Sequence, residues 1–243
     1  MENKLLNNVN LISISGCGHS GTTLTATVLG AHKNLLLIPI ETKMFLDESY
    51  DINNFIFNNY SDKKTMIIEK TPNHIYVLDK IKKEYPSAKF ILNIRDPRDI
   101  ASSLYNRFKD WNKSIDRLKK DFDYMKKFYL FGHLVKYEDI VNNFEDTFID
   151  ICKYIDIDFD KNMLEYHRYA PNWYGVSEPK NINDSDEAYV TGKPSNNEIR
   201  RSWQVKQPLF DGTGRWKKEL SSNQIDDVVK NVGEVANFFG YSI

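Results

Sequence analysis

Residues 11–32, LISISGCGHSGTTLTATVLGAH, constrain the fold more than any other stretch of the chain. Residues 11–15 alternate apolar with small side chains and read as a buried strand. From residue 20 to 31 the pattern turns helical, with Leu24, Val28 and Ala31 on one face. Between them lie Gly16, Gly18 and Gly21, which let backbone N–H groups converge. The helix that follows presents its free N–H groups and positive dipole end to an anion, and Ser20, Thr22 and Thr23 add hydroxyl donors. The nucleotide-triphosphatase form of this loop carries Lys where this chain has Thr22, so a clamp on outer phosphates is poorly supported. One phosphate bearing a sulfate suits the loop better. The plainer alternative is a glycine-rich turn with a well-capped helix.

Four further apolar runs repeat the strand-then-turn pattern: LLLIPIE at 35–41, TMIIEKTP, AKFILNIRDP and FGHLVKYEDI. Helical segments are expected at about 44–57, 73–85, 97–108 and 144–155. Strands that are nearly continuously apolar and alternate with helices imply an α/β fold of the P-loop three-layer type, a parallel sheet of about five strands covered on both faces. The reading is one domain over residues 1–243. It carries a charged, aromatic helical insertion at about 110–130, an irregular Asn-, Pro- and Ser-rich loop at about 170–201, and a closing amphipathic helix at 224–239. Ligands of such sheets sit beyond the C-terminal strand ends. The residues just after the apolar runs are the loop at 16–23, Glu41, Glu69 with Lys70, Arg95 and Tyr137.

Hydrophobic residues at 41% and charged residues at 28% are ordinary globular values, and the net charge of −1 recommends neither nucleic acid nor an anionic membrane as partner. Any anion site is therefore local. Cys17 and Cys152 make no disulfide framework, no apolar run reaches membrane-spanning length, and the N-terminus lacks a signal-peptide core. A cytoplasmic protein without a membrane anchor of its own is expected. His32, His74, His133 and His167 show no metal-ligand spacing, and no metal is implied.

In NIRDPRDIASSLYNR, Asp96 suits a helix N-cap, Pro97 the first helical position, and Asp99 a capping-box partner. Ser103 lies two turns into that helix, and Arg107 one turn further on the same face. Arg95 and Ser103 can pinch a phosphate between strand end and helix side. Alternatively, Arg95, Arg98 and Arg107 are solvated charges paired with Asp96 and Asp99.

Taken together, these segments resemble the sulfotransferases that use 3′-phosphoadenosine 5′-phosphosulfate (PAPS). SGCGHSGTT is similar to the family's 5′-phosphosulfate loop, here including Gly18, Ser20, Gly21, Thr22 and Thr23. Arg95 and Ser103 match its 3′-phosphate pair. LVKYEDI, with Tyr137, resembles the strand end bordering the adenine, and QVKQPLFDGTGRWKKEL resembles the C-terminal loop that closes over the nucleotide. IETK and EKTP resemble elements of the tyrosylprotein and bacterial-type members. The likeness covers residues 11–220. It implies PAPS as co-substrate, transfer of its sulfuryl group to a hydroxyl or an amine, and no metal. One departure stands out: His19 occupies the place of the family's usual Lys or Arg before Ser-Gly-Thr-Thr.

Sulfuryl transfer, like phosphoryl transfer, needs an in-line acceptor, a base for its proton and cations aimed at the developing charge. Glu41 matches the family's catalytic carboxylate and Lys70 its second cation. His19, if protonated, supplies charge at the bridging oxygen. Glu69 either orients Lys70 or serves as the base in place of Glu41. Arg107, Arg215 and Lys217 add charge for the phosphates, and Trp216, with Trp203 behind it, either stacks near adenine or simply packs. The plainer alternatives are a helix-terminal charge for Glu41, a surface ion pair for Glu69 and Lys70, and a core tyrosine for Tyr137. A P-loop kinase or nucleotidase with Glu69 as magnesium ligand, and a non-catalytic nucleotide-binding module, are the competing functions. The acceptor pocket is expected from residues 44–60, 110–130 and 166–200, which name no acceptor.

Overall fold

Strand β1 (Asn10–Gly16) lies at the centre of a five-stranded sheet in a computed structural model that describes residues 10–46, 66–176 and 196–243. Around it run β2 (Leu35–Leu37), β3 (Met66–Lys70), β4 (Lys89–Ile94) and β5 (His133–Lys136), in the order β2-β3-β1-β4-β5. Every pairing is parallel, with Ile14 opposite both Lys70 and Ile91 and Gly16 opposite Asn93.

Period-two alternation assigns the strand residues to two cores. Leu11, Ile67, Phe90, Leu92 and Ile94 face one layer, formed by helices α3 (Pro97–Phe108), α4 (Trp111–Phe128) and α9 (Ser222–Phe238). Ile12, Ile14, Ile68 and Ile91 face the other, formed by α1 (Thr22–Gly30), α6 (Phe144–Ile155) and the 3₁₀ segment Lys161–Arg168. Helix α4 buries Ile115, Leu118, Phe122, Met125 and Phe128, a helical-period stripe, and Asp110 caps it by accepting from the Lys113 amide at 3.1 Å. Helix α9 opens on a capping box of Ser221 and Gln224. No helix among the described residues is long and apolar enough to cross a membrane.

Some expectations need correction. The second strand stops at Leu37, well short of residue 41. The segment expected to be helical from 73 is a 3₁₀ turn, Pro72–Val77, leading into α2 (Leu78–Glu84). The helix expected at 44–57 falls mostly outside the described residues. The expected irregular loop at 170–201 contains a 3₁₀ turn, Trp173–Gly175, and its end belongs to α7 (Asn196–Gln204). Asp96 caps α3 by accepting from the Arg98 amide at 2.8 Å. Asp99 is no capping-box partner, because its carboxylate accepts from the amides of Gly214 and Trp216 at 2.8 and 3.1 Å.

The chain leaves β1 toward β2 on one side and leaves β4 toward β5 on the other. The crevice where ligands enter such sheets therefore opens between the C-terminal ends of β1 and β4.

Candidate active site

The end of β1 is stitched to the end of β4. Cys17 donates its amide to the Asn93 carbonyl at 3.1 Å, and the Ser20 hydroxyl faces the carbonyls of Cys17 and Asn93 at 2.6 and 3.0 Å. Gly16 has φ +135°, and a side chain there would overlap the Asn93 backbone, so the turn demands glycine. Gly21, at φ +91°, is the N-cap of α1 and offers no side-chain cap. The first backbone bond of that helix runs from the Thr25 amide to the Gly21 carbonyl at 2.9 Å, which leaves the amides ahead of it without intrahelical partners. Gly21, Thr22, Thr23 and Leu24 line a cavity of about 530 Å³.

Arg95 and Ser103 line the same cavity. Arg95 stacks its guanidinium 4.3 Å from the Tyr137 ring centre, donates to the Gly212 carbonyl and lies 3.4 Å from Asp99. The loop at 210–215 is thereby fastened to the end of β4, and Tyr137, donating to the Phe210 carbonyl at 3.3 Å, ties it to the end of β5 as well. The Arg95 Nε is buried without a partner among the described residues. Every charged residue lining the cavity among the described residues is basic: Arg95, Arg107, Lys109, Arg200, Arg201 and Arg215. These six cations share one cavity in a chain of net charge −1.

His19 projects from a left-handed backbone (φ 64°), its Nδ1 hydrogen-bonded with the Ser103 hydroxyl at 2.9 Å and its Nε2 buried without a partner among the described residues. Burial, then Arg201, Arg107 and Arg117, push its pKa down to about 3, so the ring is neutral at pH 7. The protonation on which a charged role for His19 depends is therefore not met here.

On the neighbouring strand, Glu69 and Lys70 point to opposite faces and are both fully buried, which overturns the surface-pair alternative. Glu69 accepts from the hydroxyls of Thr42 and Thr71 at 2.8 and 2.6 Å and meets His74 Nδ1 at 2.8 Å. Burial raises its pKa, but His74 and the hydroxyls outweigh that and lower it. Lys70 donates to Glu41 Oε1 at 2.7 Å and sits 4.7 Å from the Trp173 ring centre. Burial pulls it down to about 8 against the opposing charge of Glu41. Glu41 is held in a turn beyond β2, where the amide of Lys43 donates to Thr71 at 3.3 Å. Its Oε1 also accepts from Arg201, whose guanidinium reaches the Tyr174 hydroxyl at 3.0 Å. Burial pushes the Glu41 carboxyl up, but Lys70 and then Arg201 hold it well below the usual carboxylate range.

Of the residues singled out in the sequence, Gly21, Thr22, Thr23, His19, Arg95, Ser103, Arg107, Tyr137 and Arg215 meet at the cavity. Glu41 and Lys70 lie behind it and connect through Arg201. The Ser20 hydroxyl is turned inward, and the Gly18 amide donates to Asp121 at 2.8 Å. Trp216 stacks on Arg98 at 4.2 Å and packs against the α3–α4 core, with the Lys217 ammonium 5.8 Å from its ring centre; neither lines the cavity. Arg200 and Arg201 were missed because they close the polar segment expected as a loop over 170–201, where Ile199 is the buried apolar anchor of α7. Arg117 and Asp121 were missed because charged residues on an amphipathic helix read as a solvated face.

A glycine turn, an uncapped helix and a cation-lined crevice at a strand switch point form the candidate site of this α/β protein. Residues 40–161 match the Sulfotransferase family, about half of the chain, and the chain belongs to that family. It is a sulfotransferase. The Caenorhabditis briggsae protein named "Putative protein-tyrosine sulfotransferase" is 24% identical over 198 residues, 65% of this chain and 69% of that one. The fold is shared with the sulfotransferase domain of the Synechococcus PCC 7002 olefin synthase (TM-score 0.61, 18% identity, 97% of this chain and 96% of that one). It is also shared with mouse sulfotransferase SULT7A1, solved in complex with PAP (TM-score 0.55, 15% identity, 97% and 90%).

Proposed function

We propose that the sulfuryl donor is PAPS and that the acceptor is a hydroxyl, or less readily an amine, of a small molecule, glycan or peptide. The name of the Caenorhabditis briggsae relative puts a peptide tyrosine among the hydroxyls to try first. The observation that carries the reading is the all-basic cavity between an uncapped helix and the Arg95–Ser103 pair. Buried atoms without partners, Arg95 Nε and His19 Nε2, fit a ligand with anionic groups at both ends. The mouse enzyme's complex with PAP supports the same choice. Two buried, unpaired cysteines suit the cytoplasm.

When bound, the donor supplies an activated sulfuryl group on a single 5′-phosphate. Arg95, Ser103 and Arg215 hold the 3′-phosphate, and Tyr137 borders the base. The amides and hydroxyls of Gly21, Thr22 and Thr23 hold the 5′ end. His19 serves as a neutral hydrogen-bonding group, while Arg107 and Arg201 carry the charge that the family places on a Lys or Arg at that position. Lys70 directs its ammonium toward the developing charge. Glu41 takes the acceptor's proton, and it becomes an effective base as Arg201 releases Oε1, because a carboxylate held by two cations is a weak one. The kinase alternative is disfavoured, since Glu69 has its oxygens committed to Thr42, Thr71 and His74.

A thermal-shift series tests this. Adenosine 3′,5′-bisphosphate without magnesium is expected to stabilise the protein. A response only to ATP with magnesium would reject the donor assignment. Stabilisation by the bisphosphate without any sulfuryl transfer from PAPS to phenol, sugar and tyrosine-peptide pools would favour a binding module.

A further inference from the structure

The helix inserted between β4 and β5, α4, reaches back under the glycine turn through one fully buried carboxylate, Asp121. Its Oδ2 accepts from the Gly18 amide at 2.8 Å. Its Oδ1 accepts from Arg117 Nε at 2.8 Å and from the Tyr76 hydroxyl. Arg117 continues to the Asn73 side chain, three residues beyond Lys70. A chain of hydrogen bonds thus runs from the residue before His19, through α4, to the segment that follows β3. It joins the two strand ends that carry His19 and Lys70.

A carboxylate directly behind an anion-binding turn is electrostatically unfavourable for the anion. It also occupies the amide of Gly18, which would otherwise be available as a donor. Arg117 offsets the charge, and what remains is geometry. Three donors converging on one buried carboxylate fix where Gly18 sits, and hence the left-handed turn at His19 that follows it. Burial, then Asp121, push the Tyr76 hydroxyl's pKa up, which keeps it a donor. The same two causes raise the Cys17 thiol, which is buried beside the turn.

We propose that Asp121, backed by Arg117 and Tyr76, is a positioning residue for the phosphosulfate end of the donor. It sets the glycine turn so that His19 and the first turn of α1 meet the 5′ group. The inference rests on the PAPS reading of the cavity. It assigns no contact between Asp121 and the donor.

The test compares adenosine 3′-phosphate, which engages only the Arg95–Ser103 side, with adenosine 3′,5′-bisphosphate, which also engages the turn. Wild type is expected to prefer the bisphosphate. In Asp121→Asn the amide can accept on one side only, so at least one donor loses its acceptor, and the preference is expected to shrink by about tenfold. Affinity for adenosine 3′-phosphate should stay within about threefold. Alkylation of Cys17, followed in a Cys152→Ser background, should speed up by about tenfold or more as the turn loosens. Tyr76→Phe removes a single donor and should reduce the preference by about threefold, which keeps the test available if Asp121→Asn does not fold. An unchanged preference with unchanged Cys17 alkylation overturns the proposal. So does an equal loss of affinity for both nucleotides, because that marks a general structural role. If wild type itself binds neither nucleotide, the donor reading fails, and the alkylation comparison still decides whether Asp121 holds the turn.

Discussion

Glu69 and Lys70 are adjacent on one strand, both fully buried, and they belong to different parts of the molecule. Glu69 faces the α3–α4 layer with both oxygens engaged by two hydroxyls and a histidine ring, and what is left over there is the far nitrogen of that ring, His74 Nε2, buried away from the cavity. Lys70 faces the α1 layer, where Glu41, the Trp173 ring and then Arg201 lead to the cavity. The cavity in turn holds atoms with unmet demand, His19 Nε2 and Arg95 Nε. A buried charge whose partners are complete holds structure together, whereas charges arranged around space, with hydrogen-bonding capacity left over, are arranged for a ligand.

The sharpest way to break this contrast is Glu69→Ala. Removing the carboxylate leaves the His74 ring and two hydroxyls unsatisfied, and a loss of roughly 3–5 kcal/mol is expected in urea unfolding. Bisphosphate affinity of the folded fraction should change little, and a large loss would place Glu69 in the site. Lys70→Ala should do the reverse, lowering kcat by about 10²–10³ (~2.7–4 kcal/mol) with the bisphosphate Kd nearly unchanged. Equal losses in kcat and affinity would contradict the role given to Lys70. The charge on Lys70 is lost as pH climbs through about 8, so kcat should fall there. An unfolded lysine keeps its proton to 10.5, so the unfolded chain binds more protons across the window from 8 to 10.5. Lys70 therefore makes stability rise with pH over the same window in which turnover falls, and unfolding midpoints against pH would reveal opposite slopes.

The same contrast explains what was legible in the sequence. The five strands and the glycine turn are written in local patterns: apolar runs, glycines where φ is positive, and Pro97 after a capping Asp96. Arg95 and Ser103 were findable because a strand end and the helix that follows it fix their separation. Asp99 was misread because its capping-box spacing is real, while its actual partners, the amides of Gly214 and Trp216, lie more than a hundred residues away. Arg201 and Asp121 share that property through Glu41 and Gly18, and Arg117 reaches Asn73 across 44 residues. Each gains its place from contacts across the fold, and a polar residue on a helix gives no local sign of which surface it will meet.

Two smaller effects refine the picture of the cavity. In Arg201→Gln, Glu41 keeps Lys70 but loses its second cation in the free enzyme, so its carboxyl should rise and carry the acid limb of kcat/KM upward by about one pH unit or more. An unmoved acid limb would mean that Arg201 does not hold Glu41 in the free enzyme, or that Glu41 is not the base. A Glu41→Gln control separates the two, since only a true base loses its acid limb with the carboxylate.

Ser103→Ala is expected to have the smallest effect, because it removes one hydroxyl whose present partner is His19 Nδ1 at 2.9 Å. A neutral hydrogen bond is worth about 1 kcal/mol, so bisphosphate affinity should fall about fivefold. The variant also leaves neither His19 ring nitrogen with a partner among the described residues, freeing the ring to turn toward the ligand. If Ser103 acts on the 3′-phosphate alone, affinity for adenosine 3′-phosphate and for the bisphosphate should drop by the same factor. If it acts mainly by orienting His19, the bisphosphate should lose more, because only that ligand carries a group at the turn. The ratio of the two losses therefore tells whether one side of the cavity serves the other, and a ratio of one would leave the two sides independent.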